Sequence, residues 1–208
     1  MTATVTIPAH KLRTLLASVI PACAPASAGT PVISAIRIKT DVGGWIEASA
    51  TNRYIVAQNS AQADTYAGSG TFILRAEDAK QLIAALPKTT PRAGVTNTAI
   101  LSIEGREMSV EVRVAATTAA YTYSAQDGDY PPIERLLINP DDHAWPEHGT
   151  GIGFTPARLA EIVKCAQAIN RNAALVFNAQ SVNTKPVALR IGHEDGLDWR
   201  GLIMPARI

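Results

Sequence analysis

The stretch "EASATNRYIVAQNSA", Glu47 to Ala61, decides how this chain is read. Before it, "PVISAIRIKT" has a strand pattern, and its own tail "YIVAQNSA" continues one. Between these apolar segments stand Thr51, Asn52, Arg53 and Tyr54. They are too polar for a buried run and have no Gly or Pro to make a plain turn. Thr and Asn bond readily to nearby backbone, so a turn closed by its own side chains is one reading. A loop kept for binding is the other.

The rest of the composition narrows the field. The chain has 208 residues, enough to bury a real core. Hydrophobic residues make up 47% and charged residues 18%, which excludes a disordered tail. Aromatics are only 5%, so the core is expected to be aliphatic. The net charge of +1 is too small for a protein that grips nucleic acid by charge alone, so DNA contact must be local or geometric. Cys23 and Cys165 have no paired spacing and are expected to be reduced, structural thiols. No signal peptide is seen in "MTATVTIPAH", and no apolar run reaches the roughly 20 residues of a membrane span. The expected location is cytoplasmic, with no membrane partner.

Working outward from Glu47, the chain repeats a pattern. "ATVTI" reads as a strand and "PAHKLRTLLASVIPAC" as a helix with Leu12, Leu15, Leu16 and Val19 on one face. "VISAIRIKT" and "GWIEASAT" flank Gly43–Gly44 as a hairpin, and "YIVAQNSA" extends the sheet. The second copy runs through "GTFILRA", the helix "AEDAKQLIAALP" with Leu82, Ile83 and Leu86 buried, the hairpin "TAILSIEGREMSVEVRVA" and "TAAYTYSAQ". Glu77 and Asp78 suit the first turn of that helix. The third copy runs through a strand "GIGFTP", the helix "TPARLAEIVKCAQAI" capped by Thr155 and Pro156, and the strands "AALVFNA", "KPVALRIG" and "WRGLIMPARI". The copies begin near residues 3, 70 and 150, at a spacing of about 70 residues. The expected class is α+β, with strand–helix–three-strand units and helices on one face of antiparallel sheets.

Four stretches resemble the bacterial sliding clamp, the β subunit of the replicative DNA polymerase. "ATNRYIVA" (50–57) is similar to that family's "ATDxxRLA", and "GDYPPIERLL" (128–137) to its connector "GEFPxxRxLLP". "TKPVALRI" (184–191) resembles "xKPxLL", and "LIMPARI" (202–208) resembles the terminal "LLMPVRL". The order and separations match the family across most of the chain. The resemblance implies a DNA-clamp fold in a shortened form. Residues 1–137 would be a clamp domain of two units resembling the family's middle domain, 138–148 a linker along the surface, and 149–208 a third unit resembling the second half of the last domain.

The resemblance also implies a site. In the family the "ATDxxRLA" segment and the terminal "MPxRL" line a pocket for short peptides of polymerases and other DNA-handling proteins. Here Thr51, Arg53, Tyr54 and Val56 would form one wall, with Ile33 on the preceding strand beneath. Leu202, Met204 and Pro205 would form the other wall, and Ile138 the rim. An adaptable Met suits such a surface. Two positions depart from the family: Asn52 replaces its Asp, and Ile55 its Arg. The helices would face double-stranded DNA without reading bases, through Lys11, Arg13, Lys80, Arg158, Lys164 and Arg171.

The expected function is a processivity factor. A homo-oligomeric ring would encircle duplex DNA and tether a polymerase through the pocket, with a clamp loader as a further candidate partner and a phage or mobile element as the expected source. Three helices per chain favour four subunits, with three next, joined by edge strands at the two ends of the chain. The alternative is an adaptor or decoy that binds clamp-interacting peptides without forming a ring. No catalytic set is visible, so no enzyme and no cofactor is expected. Asp141, Asp142 and His143 are adjacent in a loop, which rarely ligates a metal well, and His10, His148 and His193 stand apart and read as solvated.

Overall fold

The computed structural model describes residues 2–90, 94–135, 137, 153–172, 174–178, 186–191 and 197–206. The first unit opens with β1 (Thr2–Pro8), whose alternation buries Ala3, Val5 and Ile7. Helix α1 (Ala9–Ala17) follows directly, and Leu12, Leu15 and Leu16 lie on its buried face. Strands β2 (Ala35–Thr40), β3 (Trp45–Thr51) and β4 (Ile55–Gln62) then form an antiparallel meander. A short strand β5 (Thr65–Ala67), which periodicity did not reveal, pairs back onto β1. The second unit has β6 (Gly70–Arg75), α2 (Ala76–Ala85), β7 (Asn97–Glu104), β8 (Glu107–Val114) and β9 (Thr117–Ser124). The third has α3 (Pro156–Ile169), β10 (Leu175–Asn178), β11 (Val187–Ile191) and β12 (Leu197–Ile203).

One hydrogen bond recurs in all three units. The residue three positions before each helix accepts a backbone N–H from the chain just beyond the unit's last long strand. Asp64 donates to Thr6, Gln126 to Ile73 and Ala206 to Gly153, at 2.8, 2.9 and 2.8 Å. The three acceptors lie 67 and then 80 residues apart, so the uniform spacing of about 70 is corrected.

The first two units exchange their lead strands. β1 lies against β7 of the second unit, and β6 lies against β2 of the first. The result is a five-stranded sheet, β5-β1-β7-β8-β9, and a seven-stranded sheet, β10-β11-β12-β4-β3-β2-β6. The third unit enters the second sheet because β12 pairs with β4 from Leu197↔Ala61 to Ile203↔Ile55. The helices form a layer over these sheets, with α1 packed against both α2 and α3.

Trp199 of β12 holds the third unit to the first. Its ring is fully buried and its indole N–H donates to the Ser18 carbonyl at 3.2 Å. The Ser18 hydroxyl in turn accepts from Asn59 of β4 at 2.9 Å. Gly201 lies under the Trp199 ring, where a Cβ would come within 2.4 Å of it.

Three local expectations change. Pro31–Ser34 is a 3-10 turn rather than strand, so Ile33 sits on that turn with Pro31 opening it. Gly153–Thr155 is not strand, and Thr155 stands at the N-cap of α3 without a side-chain cap bond. His10 is half-buried, with its Nδ1 3.3 Å from Asn97 Nδ2. His148 and His193 lie outside the described residues. Among the described residues no helix is long and apolar enough to cross a membrane.

Candidate functional site

The polar stretch between β3 and β4 is a side-chain-closed turn. Asn52 Oδ1 accepts the backbone N–H groups of Tyr54 and Ile55, both at 3.1 Å. Thr51 Oγ1 donates to the Ile55 carbonyl at 2.8 Å and accepts from Arg53 N–H at 3.2 Å. Arg53 takes a left-handed φ of 76°, a conformation the surrounding bonds hold in place. Thr51 and Asn52 are therefore buried, while Arg53 and Tyr54 project.

The C-terminal stretch meets this turn. Met204 donates its backbone N–H to the Tyr54 carbonyl at 2.9 Å, just past the end of the β12–β4 ladder. Tyr54 at 55% and Met204 at 38% are among the most exposed large apolar side chains described. Two segments about 150 residues apart in sequence thus present adjacent apolar groups. Pro205 follows, half-buried.

Beside Tyr54 is a crevice of about 240 Å³. Ile33, Arg53, Tyr54, Pro25 and Arg158 line it. Arg158 was expected among the DNA-facing cations, but its place on the first turn of α3 turns it to the crevice. Its guanidinium lies 4.2 Å from the Tyr54 ring centroid and is paired with Glu161 at 3.0 Å. Glu161 Oε2 also accepts from Asn52 Nδ2 at 3.0 Å. The chain Asn52–Glu161–Arg158–Tyr54 therefore ties the turn of the first unit to the helix of the third. Sequence spacing gave no sign of Pro25 or of Arg158 here, because both come from outside the two resembling motifs.

Val56 and Leu202 take a different position. With Ala188 they face the outer side of the seven-stranded sheet, under Ile133, and all four are buried together. The segment Tyr130–Arg135 is a strap across that sheet face. Tyr130 donates its hydroxyl to the Ser49 carbonyl at 3.2 Å, and its ring stacks on Arg37 with 5.3 Å to the centroid. Arg37, only 8% exposed in its side chain, pairs with Glu47 of β3 at 3.1 Å and with Glu134 of the strap at 2.6 Å. Burial raises the Tyr130 hydroxyl pKa, with the nearby Arg37 charge opposing. Ile138 lies outside the described residues.

A second cavity of about 580 Å³ adjoins the crevice through Ala24 and Pro25. Cys23, Arg75, Lys80 and Glu161 reach its wall. Burial pushes the Cys23 thiol up to about 12 against the opposing charge of Lys80, and burial raises Cys165 as well. Both are free thiols, and burial favours the protonated form of each. Of the other helix cations, Lys164 and Arg171 are exposed, Lys11 is half-buried, and Arg13 donates to the Ile83 carbonyl of α2. Among the described residues no group of three His, Cys, Asp or Glu is placed to hold a metal; Asp141–His143 lie outside them.

A repeated α+β chain with exchanged lead strands and one helix layer is the architecture of a clamp. Solved structures bear this out over nearly the full chain. The β subunit of DNA polymerase from Streptococcus pyogenes is 15% identical, with a TM-score of 0.72, over 98% of this chain and 65% of that one. The DNA polymerase sliding clamp of Bacillus subtilis is 14% identical, TM-score 0.71, over 99% and 64%. A sliding clamp (DNA polymerase III subunit β) from Pseudomonas aeruginosa bound to griselimycin is 14% identical, TM-score 0.72, over 99% and 65%. No family model matches the sequence, and no curated protein matches it. The chain has the fold of the bacterial sliding clamps and spans about 65% of their length.

Proposed function

We propose that this protein is a small DNA sliding clamp, a homo-oligomeric ring around duplex DNA that tethers a polymerase through the crevice beside Tyr54. The observation that carries this reading is the meeting of Tyr54 and Met204 inside a clamp fold, at a hydrogen bond of 2.9 Å. An apolar crevice with a few fixed polar groups suits a short peptide segment. Ile33, Arg53 and Tyr54 line that crevice, Thr51 holds the turn that presents them, and Met204 and Pro205 lie beside Tyr54 outside its lining. Lys11, Lys80, Lys164 and Arg171 are its remaining candidates for loose, sequence-blind phosphate contact. Residues 1–137 act as the clamp domain and 149–208 as the third unit.

The test is the native mass of the purified protein by light scattering across a dilution series. A ring is expected at three or four times the 22.0 kDa chain, stable on dilution. That species should stay on closed circular DNA and run off linear DNA. Monomer or dimer at every concentration rules the ring out. Griselimycin, the ligand in the Pseudomonas clamp, serves as a separate probe of the crevice. Its binding should be lost in Tyr54→Ala.

A second reading, an adaptor or decoy that takes clamp-binding peptides without a ring, draws on a separate observation. Two of the helix cations are already engaged, Arg13 by a carbonyl and Arg158 by Glu161 and Tyr54. On this reading, neutralising Lys11 and Lys164 leaves peptide competition unchanged.

A further inference from the structure

The third unit is built like the second. Ile73 and Gly153 accept the recurring hydrogen bond, and Gln126 and Ala206 donate it; each pair is 80 residues apart. The helices α2 and α3 begin at Ala76 and Pro156, and the last strands β9 and β12 begin at Thr117 and Leu197, at the same offset. What the second unit has, and the third lacks among the described residues, is a complement. In each of the first two units the strand that follows the helix is covered on its outer edge, β2 by β6 and β7 by β1. The corresponding strand of the third unit, β10, ends the seven-stranded sheet, and among the described residues no strand lies on its outer edge. An open edge of this kind is a template for a further strand.

The helix layer has the same gap. Ile83 of α2 meets α1, where its carbonyl accepts from Arg13 and its side chain packs on the core. The residue of α3 at the same offset is Val163, which is 38% exposed. So one strand edge and one helix side are unfilled, and both belong to the half-domain whose partner this chain does not carry in its described residues.

We propose that a second copy of this chain fills the gap, third unit to third unit, through the β10 edge and the Val163 side of α3 about a two-fold axis. The internal pairing shows how two such units complete each other by reciprocal exchange, and a unit with a self-complementary surface forms an isologous contact. Two copies joined this way hold two clamp domains with a third assembled between them. The inference deepens the ring reading, since four chains then form the ring as two such pairs in place of a head-to-tail cycle.

The experiment uses the full chain carrying Val163→Cys, under mild oxidation. An isologous contact brings the residue beside its own copy, so this single substitution should place most of the protein in a disulfide-linked band of twice the 22.0 kDa chain. Of the two native thiols Cys165 is buried and Cys23 half-buried, and neither lies on the β10 edge or at Val163, so the unsubstituted chain should give no band. As a second measurement, Val163→Asp, at an exposed position that tolerates charge, should weaken self-association at least about tenfold with unchanged circular dichroism. A different result overturns the proposal: no link with Val163→Cys, but a link when Thr122→Cys on β9 is mixed with Val176→Cys on β10. That outcome leaves a head-to-tail ring standing. Linked dimers that never grow into a larger species support the two-fold contact and remove the ring. A monomer at every concentration overturns both.

Discussion

Asn52 carries more of this structure than any other polar residue of the turn. Its Oδ1 closes the turn and its Nδ2 donates to Glu161 of the third unit. The departure from the Asp of the resembling motif has a local reason. A carboxylate here would keep the turn bonds, but it would face the Glu161 carboxylate without a proton to give. Asn52→Asp is therefore expected to lower stability at neutral pH by about 1–3 kcal/mol. Part of that loss should return as the pH is lowered far enough to protonate one of the pair. Urea denaturation of both proteins at neutral and acid pH checks it, and an equal deficit at both would sink the explanation. The other departure, Ile55, is buried in the core, where an unpaired Arg would be costly.

At the scale of elements, the strap from Tyr130 to Arg135 is decided by Arg37. This side chain points to the outer face of β2, yet it is buried because Tyr130 and Glu134 close over it. At Glu134 burial acts to raise the carboxyl pKa, but a backbone hydrogen bond and the Arg37 charge outweigh it, so the net shift is downward. A carboxyl whose folded pKa lies below its unfolded one stabilises the fold above the unfolded pKa. That contribution is lost as pH falls through the folded pKa. The urea midpoint of the native chain should thus fall as pH drops below about 4.5, and Glu134→Gln should show a smaller part of that fall. Parallel curves for the two proteins would remove Glu134 from the account. On the opposite face of the same sheet, Gly201→Ala places a methyl against the locked Trp199 ring. A loss of about 1–3 kcal/mol is expected, read by chemical denaturation, and Trp199 fluorescence should report a shifted ring. A neutral substitution would mean that the ring has room to move.

At the scale of the whole molecule, the alternation of apolar residues was enough to place the long strands and three helices of the described residues, because burial of one face imposes a period of two or 3.6 on the sequence. β5 was missed because its three residues are all exposed and leave no such period. Ile33 was misplaced because a proline-led turn can bury an apolar residue without any alternation. The site was partly legible. "TNRY" and "LIMP" could be singled out by resemblance, and they do meet at the Met204–Tyr54 bond. Val56 and Leu202 read as pocket walls from the same motifs, yet Ile133 covers them, since strand alternation turns them to the strap side. Arg158 read as a helix cation, and only its distance to Tyr54 reveals it as a wall of the crevice. The sequence by itself determined the unit, its three-fold recurrence and its aliphatic core, because these follow from local periodicity. The tertiary structure alone decided which units exchange strands, which motif residues stay open and, among the described residues, which strand edge is left uncovered. Those depend on contacts between residues far apart in the chain, and no local pattern encodes them.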